Sequence, residues 1–200
     1  MPAPTPLRDL VLRTRSVRRF QEHVRVPLET LQTLVDLARL APSAGNKQPF
    51  KYALSVSRRV NALIFPHLRW AAYLQDWSGP AEGERPAAYI VICRDITISN
   101  ALNSDQGFSV QNIVLGATER GLGSCVIASF VRDEIRKVMQ IHEALDPIWV
   151  IALGVPAETI VLEPMGPEGD IRYWRDAAGV HHVPKRSLQE ILLTQFWEDE

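Results

Sequence analysis

The segment Ala41-Pro42-Ser43-Ala44-Gly45-Asn46-Lys47-Gln48-Pro49-Phe50 joins a helical pattern to a strand pattern. Two prolines bracket it, so neither a helix nor a sheet ladder passes through. Between them lie a hydroxyl, a glycine, two amides and an ammonium. Gly45 permits a positive φ or a close backbone approach. Asn46 and Gln48 each carry donors and acceptors, which suits the edge of a heteroaromatic ring. The plain alternative is a polar helix-to-strand turn.

Upstream, Leu28, Leu31, Leu34, Val35, Ala38 and Ala41 recur every three or four residues, which predicts a helix from Pro27 to about Leu40. Before it, Leu7, Leu10 and Val11 predict a short helix ending near Arg13. Next comes Arg13-Thr14-Arg15-Ser16-Val17-Arg18-Arg19-Phe20, four arginines and a serine in eight residues. Guanidinium forks and a hydroxyl suit a phosphate group. A solvated basic turn and a nucleic-acid patch are the alternatives. Nucleic acid is disfavoured by a net charge of −1 and the lack of a second dense basic block.

Downstream, Tyr52, Leu54 and Val56 alternate with polar or small neighbours, as in a strand. Residues 58–77 are helical in pattern but broken by Pro66. Their aromatics Phe65, Trp70, Tyr73 and Trp77 either form a lid over a flat substrate or pack inward on the core, and packing is the commoner outcome. A Gly/Pro/Glu loop over 78–86 leads to a continuous apolar run, 87–93, expected as a buried strand. Residues 105–121 predict a long central helix whose apolar positions nearly encircle it, with small residues Gly107, Ser109, Gly116 and Ala117. Gly121-Leu122-Gly123 follows a helix and precedes a strand, the reverse of a dinucleotide-binding turn, so a Rossmann unit is rejected. Residues 124–127 and 148–153 read as strands, 131–139 as a short helix, and 157–179 as irregular. His181 and His182 lie in a short extended segment and point to opposite sides of it. They make a poor metal pair and are expected at the surface. Ser187 with Glu190 forms a capping box that opens a last helix running through Leu193.

The length suits one domain spanning 1–200. The longest apolar runs are too short to span a bilayer, and no signal pattern opens the chain. Cys93 and Cys125 fall in apolar runs, as expected of reduced buried thiols in a cytoplasmic protein.

Taken in order, Arg15-Ser16-Val17-Arg18, then residues 41–50, then a small-residue helix ending Gly121-Leu122-Gly123-Ser124-Cys125, then Pro184-Lys185-Arg186, the chain resembles the FMN-dependent nitroreductase family over roughly residues 7–193. The resemblance implies an α+β nitroreductase-like fold: a mostly antiparallel central sheet flanked by helices, in an intertwined homodimer with each FMN site at the subunit interface. It implies that Arg15, Ser16 and Arg18 contact the phosphate and ribityl chain of FMN, and that Lys185 and Arg186 close on the same phosphate. It assigns Pro42, Ser43, Asn46 and Gln48 to the flavin edge, from the partner subunit, and Ile127, Ala128 and Ser129 to the backbone beside the ring. The implied activity is NADH- or NADPH-dependent reduction of nitroaromatics, quinones or a related small oxidised substrate by a ping-pong hydride transfer, with no catalytic side chain and no metal. A flavin-binding sensor or storage protein without turnover, and a variant acting on flavin itself or on halogenated aromatics, are the alternatives. Neither nucleic acid nor membrane is an expected partner.

Overall fold

The computed structural model describes residues 6–74, 76–100 and 104–197. Four strands form the main sheet: β1 (Phe50–Ser55), β2 (Ala88–Asp95), β3 (Gly123–Ile127) and β4 (Leu145–Gly154). Their order is β1-β2-β4-β3, and all three pairings are antiparallel. This excludes a parallel dinucleotide-binding sheet and fits the antiparallel sheet expected from the sequence.

β2 is apolar on both faces because both faces are covered. Ala88, Ile90 and Ile92 meet α2 (Leu28–Arg39) and α4 (Asp105–Glu119), through Leu31, Leu34, Ala38, Val110, Ile113 and Ala117. Tyr89, Val91 and Cys93 face the other way, toward α3 (Arg58–Ile64), α5 (Arg132–Val138) and the segment carrying Val17 and Phe20. Successive strand residues point to opposite faces, so one strand serves two cores. Fully burying each of these Ile or Leu side chains is worth about 1.5–3 kcal/mol.

α4 departs from expectation. It buries Ser109, Val110, Ile113, Val114, Gly116 and Ala117, but one stripe stays open. Phe108 is 51% exposed on it, Gln111 is exposed and Leu115 half-buried. The helix therefore has a two-sided pattern of which this chain covers one side.

The aromatics of 58–77 mostly pack inward. α3 ends at Ile64, a short 3-10 turn follows over Phe65–His67 around Pro66, and the chain then runs irregularly. Trp70 is buried, Phe65 and Trp77 pack on the same core, and Tyr73 is exposed.

The stretch 157–179 is more ordered than the sequence suggested. β5 (Ile160–Pro164), β6 (Trp174–Arg175) and β7 (His181–Lys185) form a second sheet in the order β5-β7-β6. The strands are short and separated by prolines and glycines, which hides their alternation. His181 is 1% exposed, against the surface position expected of both histidines; His182 remains half-buried. Alternation along β7 turns His181 inward, where Arg18 meets its ring. The capping box of Ser187 and Glu190 is present, but α6 (Leu188–Ile191) stops short of Leu193. α1 (Pro6–Arg13) matches its expected bounds and lies against α4.

Candidate functional site

The 41–50 loop is shaped by a residue that sequence reasoning missed. Asp105, buried at the first turn of α4, accepts hydrogen bonds from the Ser43 hydroxyl (3.1 Å) and the Ala44 amide (2.8 Å). The Ser43 oxygen in turn accepts from the Gln48 amide at 3.0 Å. The Gln48 side-chain amide donates to the Asn46 carbonyl oxygens of backbone (3.2 Å) and side chain (3.1 Å). These bonds hold three residues in the left-handed region: Gly45 at φ 60°, Asn46 at 52° and Gln48 at 49°. Gly45 adopts it freely, whereas a non-glycine residue there costs about 1–2 kcal/mol. Such over-determined backbone is typical of ligand-binding loops. Pro42, Asn46 and Gln48 are exposed and Ser43 is half-buried, so the amide edges face outward.

The basic segment is fastened to the edge strand. Ser16 bridges Ser124 in parallel, and the Val17 amide donates to the Ser124 carbonyl at 2.9 Å. Gly123 makes this approach possible, since a Cβ there would sit 2.8 Å from the Cβ of Val17. The Thr14 hydroxyl donates to that of Thr118 at 3.0 Å, pinning the segment to the last turn of α4.

Within the segment the side chains diverge. Arg15 donates through Nη2 to the Val11 carbonyl at 2.8 Å, but its Nε is buried without a partner, and burial lowers its pKa. Ser16 is exposed, and its hydroxyl has no partner among the described residues. Arg18 turns away. Its Nη1 donates to the Ser16 carbonyl and to His181 Nε2, both at 3.2 Å, and its guanidinium lies 4.7 Å over the Tyr173 ring. Beneath it, the Glu158 carboxylate, 1% exposed, accepts from the amides of Arg18 and Arg19 and pairs with Arg175 at 2.9 Å. Arg18 thus ties the second sheet to the first. His181 Nε2 is the acceptor, so the ring proton sits on Nδ1, which is buried without a partner. Burial first, and the Arg18 charge second, push the His181 pKa down to about 4.

Ile127 ends β3 opposite Val150 and is buried, while Ala128 and Ser129 are exposed just beyond it. The Ser129 carbonyl accepts from the Arg69 amide at 3.0 Å. Ile127 lies on the strand that Ser16 joins at Ser124, and Ala128 and Ser129 continue from its end. Lys185 ends β7, its ammonium without a partner among the described residues; Arg186 pairs with Glu190 at 3.6 Å. Arg18 touches β7 at His181, four residues before Lys185, a strand distance of about 13 Å. Among the described residues no hydrogen bond or ion pair joins Lys185 or Arg186 to the arginine segment.

The structure therefore brings Arg15, Ser16 and residues 127–129 to one region and leaves the 42–48 loop in another. Thr118 anchors the first at the C-terminal end of α4, and Asp105 anchors the second at its N-terminal end. Thirteen residues of helix separate these anchors by about 20 Å. A phosphate-bearing flat cofactor fits the donor set on each side: a buried unpaired guanidinium nitrogen and a free hydroxyl at one end, a preshaped amide-edged loop at the other. Within this chain the two sets are anchored at opposite ends of α4.

Burial pushes the Cys93 thiol up to about 12 and the Cys125 thiol up to about 11, so neither is a nucleophile at neutral pH. Both are free and buried, as expected. Among the described residues no group of His, Cys, Asp and Glu is arranged to hold a metal ion, and no helix is long and apolar enough to cross a membrane.

Comparison with known proteins bears on this geometry. The model of the family described as "Nitroreductase family" matches residues 11–155. A Methanothermobacter thermautotrophicus protein, provisionally named an NADH dehydrogenase/NAD(P)H nitroreductase, is 30% identical over 155 residues, covering 72% of this chain and 74% of that protein. A solved nitroreductase family protein from Clostridium novyi NT is 25% identical, with a TM-score of 0.63 over 76% of this chain and 87% of its own. The fold likeness extends to a structure described as an FMN-dependent nitroreductase from Clostridium difficile R20291, 21% identical, with a TM-score of 0.60 over 74% of this chain and 87% of that one.

Proposed function

The chain belongs to the nitroreductase family, and on that premise we propose that it is an FMN-dependent oxidoreductase. It takes reducing equivalents from NADH or NADPH and passes them to a nitroaromatic, a quinone or a related small oxidised substrate, the two ligands occupying one pocket in turn. FMN, when bound, supplies the two-electron hydride chemistry. The chain's own residues bind and orient.

Arg15 and Ser16 hold the phosphate, with the unbonded Arg15 Nε as the donor awaiting it. A charge-assisted bond of this kind is about twice as strong as a neutral one. Lys185 and Arg186 add positive charge once they are brought near, and their mutual repulsion with Arg15 is relieved by the dianion between them. Pro42, Ser43, Asn46 and Gln48 present the loop to the ring edge, and the backbone of 127–129 lies beside the ring. No side chain is assigned as acid or base; solvent supplies the protons.

The observation that carries this reading is the separation of the two donor sets at opposite ends of α4. A second copy packed antiparallel on the open Phe108, Gln111 and Leu115 stripe brings the loop of one chain to the arginine segment of the other. Two-fold contacts of this kind use the same patch on both subunits. The C-terminal segment supports a homodimer too: Leu193 and Phe196 are more than nine-tenths exposed, and Leu188 and Ile191 more than half. Apolar area on that scale is costly in water and is normally covered. We place the protein in the cytoplasm on its unpaired buried cysteines.

The test is spectroscopic. Purified protein should be yellow and release FMN, not FAD, on denaturation. NADH or NADPH should bleach it, and menadione or a nitroarene should restore the colour. Bleaching without recovery would favour a sensor or storage protein, and no flavin binding after reconstitution would end the proposal.

A further inference from the structure

A cleft on another part of the molecule shares no residue with the flavin candidates. It lies between the start of α2, the start of α3 and residues 82–87, and encloses about 950 Å³. That is at the upper end of the range for small-molecule sites. Its charge is lopsided: Arg25, Arg58, Arg59 and Arg85 line it against Glu22 and Glu82. Glu22 is already engaged, since its Oε2 accepts from the amides of Gly83 (2.6 Å) and Arg85 (3.4 Å). Arg25 and Arg59 have no hydrogen bond or ion pair among the described residues, and Arg58 has one long bond, 3.4 Å, to the His23 carbonyl.

Two further donors on residues that line the same space lack partners. Tyr89 is 1% exposed and lines the cleft, yet its hydroxyl has no hydrogen-bond partner among the described residues. Arg85 Nε is buried and unpartnered as well. A buried donor left unsatisfied costs about 1–3 kcal/mol; Arg85 Nε is one, and beside the unbonded Tyr89 hydroxyl and four arginines of one basic cleft it points to an acceptor that joins them from outside. The rest of the lining sets the acceptor's body. Val26, Val56, Ala62 and Phe65 are apolar, and the Arg85 guanidinium lies 4.6 Å over the Phe65 ring, both residues lining the cleft. Arginine planes of this kind stack on aromatic rings.

We propose that this cleft is a second ligand site, separate from the flavin site, for a phosphomonoester on an aromatic body of about the size of a nucleoside monophosphate. Arg58 and Arg59 take the phosphate at the rim, and the Tyr89 hydroxyl and Arg85 Nε donate to acceptors deeper in.

The test is calorimetric titration of the full chain, carrying one equivalent of FMN, with AMP, adenosine and inorganic phosphate. AMP should bind more tightly than either fragment. R58A/R59A should weaken AMP by about tenfold or more, because charge-assisted bonds are lost, and should leave NADH bleaching of the flavin unchanged. Y89F should weaken AMP several-fold while leaving the thermal midpoint equal or higher, since it removes an unsatisfied group; a lowered midpoint would mean that the hydroxyl has a structural partner and is no ligand donor. R15A should leave AMP binding unchanged. Undetectable AMP binding, AMP no tighter than inorganic phosphate, or AMP binding lost in R15A but kept in R58A/R59A would each overturn the assignment.

Discussion

Truncating Asp105 to alanine tests how the 43–48 loop is held. The carboxylate accepts two hydrogen bonds, from Ser43 and from Ala44, and through Ser43 it fixes the Gln48 amide. A hydrogen bond to a charged group contributes about 1.5–3 kcal/mol. Asp105 is 7% exposed, but Ala44 is open to solvent, so water replaces part of what is lost. The carboxylate at the first turn of α4 adds about 0.3–1 kcal/mol through the helix dipole. The expected cost of Asp105→Ala is then about 2–4 kcal/mol. At about 2–4 °C per kcal/mol for a chain of this size, the thermal midpoint falls by several degrees or more. Asp105→Asn keeps one acceptor and should cost about half as much. Both variants should also bind FMN more weakly, by about tenfold for alanine, because Asn46 and Gln48 lose the left-handed backbone that aims them. The assay is a thermal melt of FMN-free protein beside a fluorescence titration with FMN. A midpoint and an FMN affinity both equal to the parent's would refute the role of Asp105. A lowered midpoint with unchanged affinity would refute the role of the loop.

Arg15→Ala should weaken FMN by about one to two decades, equivalent to about 1.5–3 kcal/mol, while the flavin that remains bound is still bleached by NADH or NADPH; parental affinity in a titration would return the segment to a solvated turn. Asn46→Gly should keep the midpoint, since glycine accepts φ 52°, whereas Asn46→Val should cost about 1–2 kcal/mol of stability and lower it; both lose the ring-edge amide and should alter the rate of flavin bleaching in single-turnover measurements. Glu158→Ala leaves the half-buried Arg175 unpaired and should cost about 3 kcal/mol in denaturant melts. The pH dependence follows from His181, whose folded pKa lies near 4, below its ordinary value of 6.5. Between those values the unfolded chain binds a proton that the folded chain does not, so stability falls as pH drops from about 6.5 to about 4 and levels off below. His181→Gln should flatten the slope of the midpoint against pH across that window.

The main sheet was legible because its strands have strong local signals. The run 87–93 is uninterrupted and apolar, and residues 27–40 carry a clean helical stripe. Of the second sheet only β7 was legible, as a short extended segment; a two-residue strand at Trp174–Arg175 has no period to detect. The site residues were legible as chemistry but not as geometry. Nothing local in the sequence says that Arg18 turns inward to His181, or that Asp105, 61 and 62 residues from its partners, holds the loop. Such long-range bonds leave no mark on spacing. The buried His181 was misjudged for the same reason: a histidine in a short extended segment looks exposed until the arginine that faces it is placed.

The central claim is that one cofactor is gripped by Arg15 of one chain and the 43–48 loop of another. Subunit exchange between Arg15→Ala and Asp105→Ala proteins, each tagged so that the mixed dimer can be isolated, measures it directly. If the halves come from different chains, the mixed dimer collects both lesions in one site and leaves the other intact. FMN titration should then show one site of parental affinity per mixed dimer, and neither parent variant should show any. If each chain builds its own site, both sites of the mixed dimer stay impaired, and a titration showing no site of parental affinity would contradict the account.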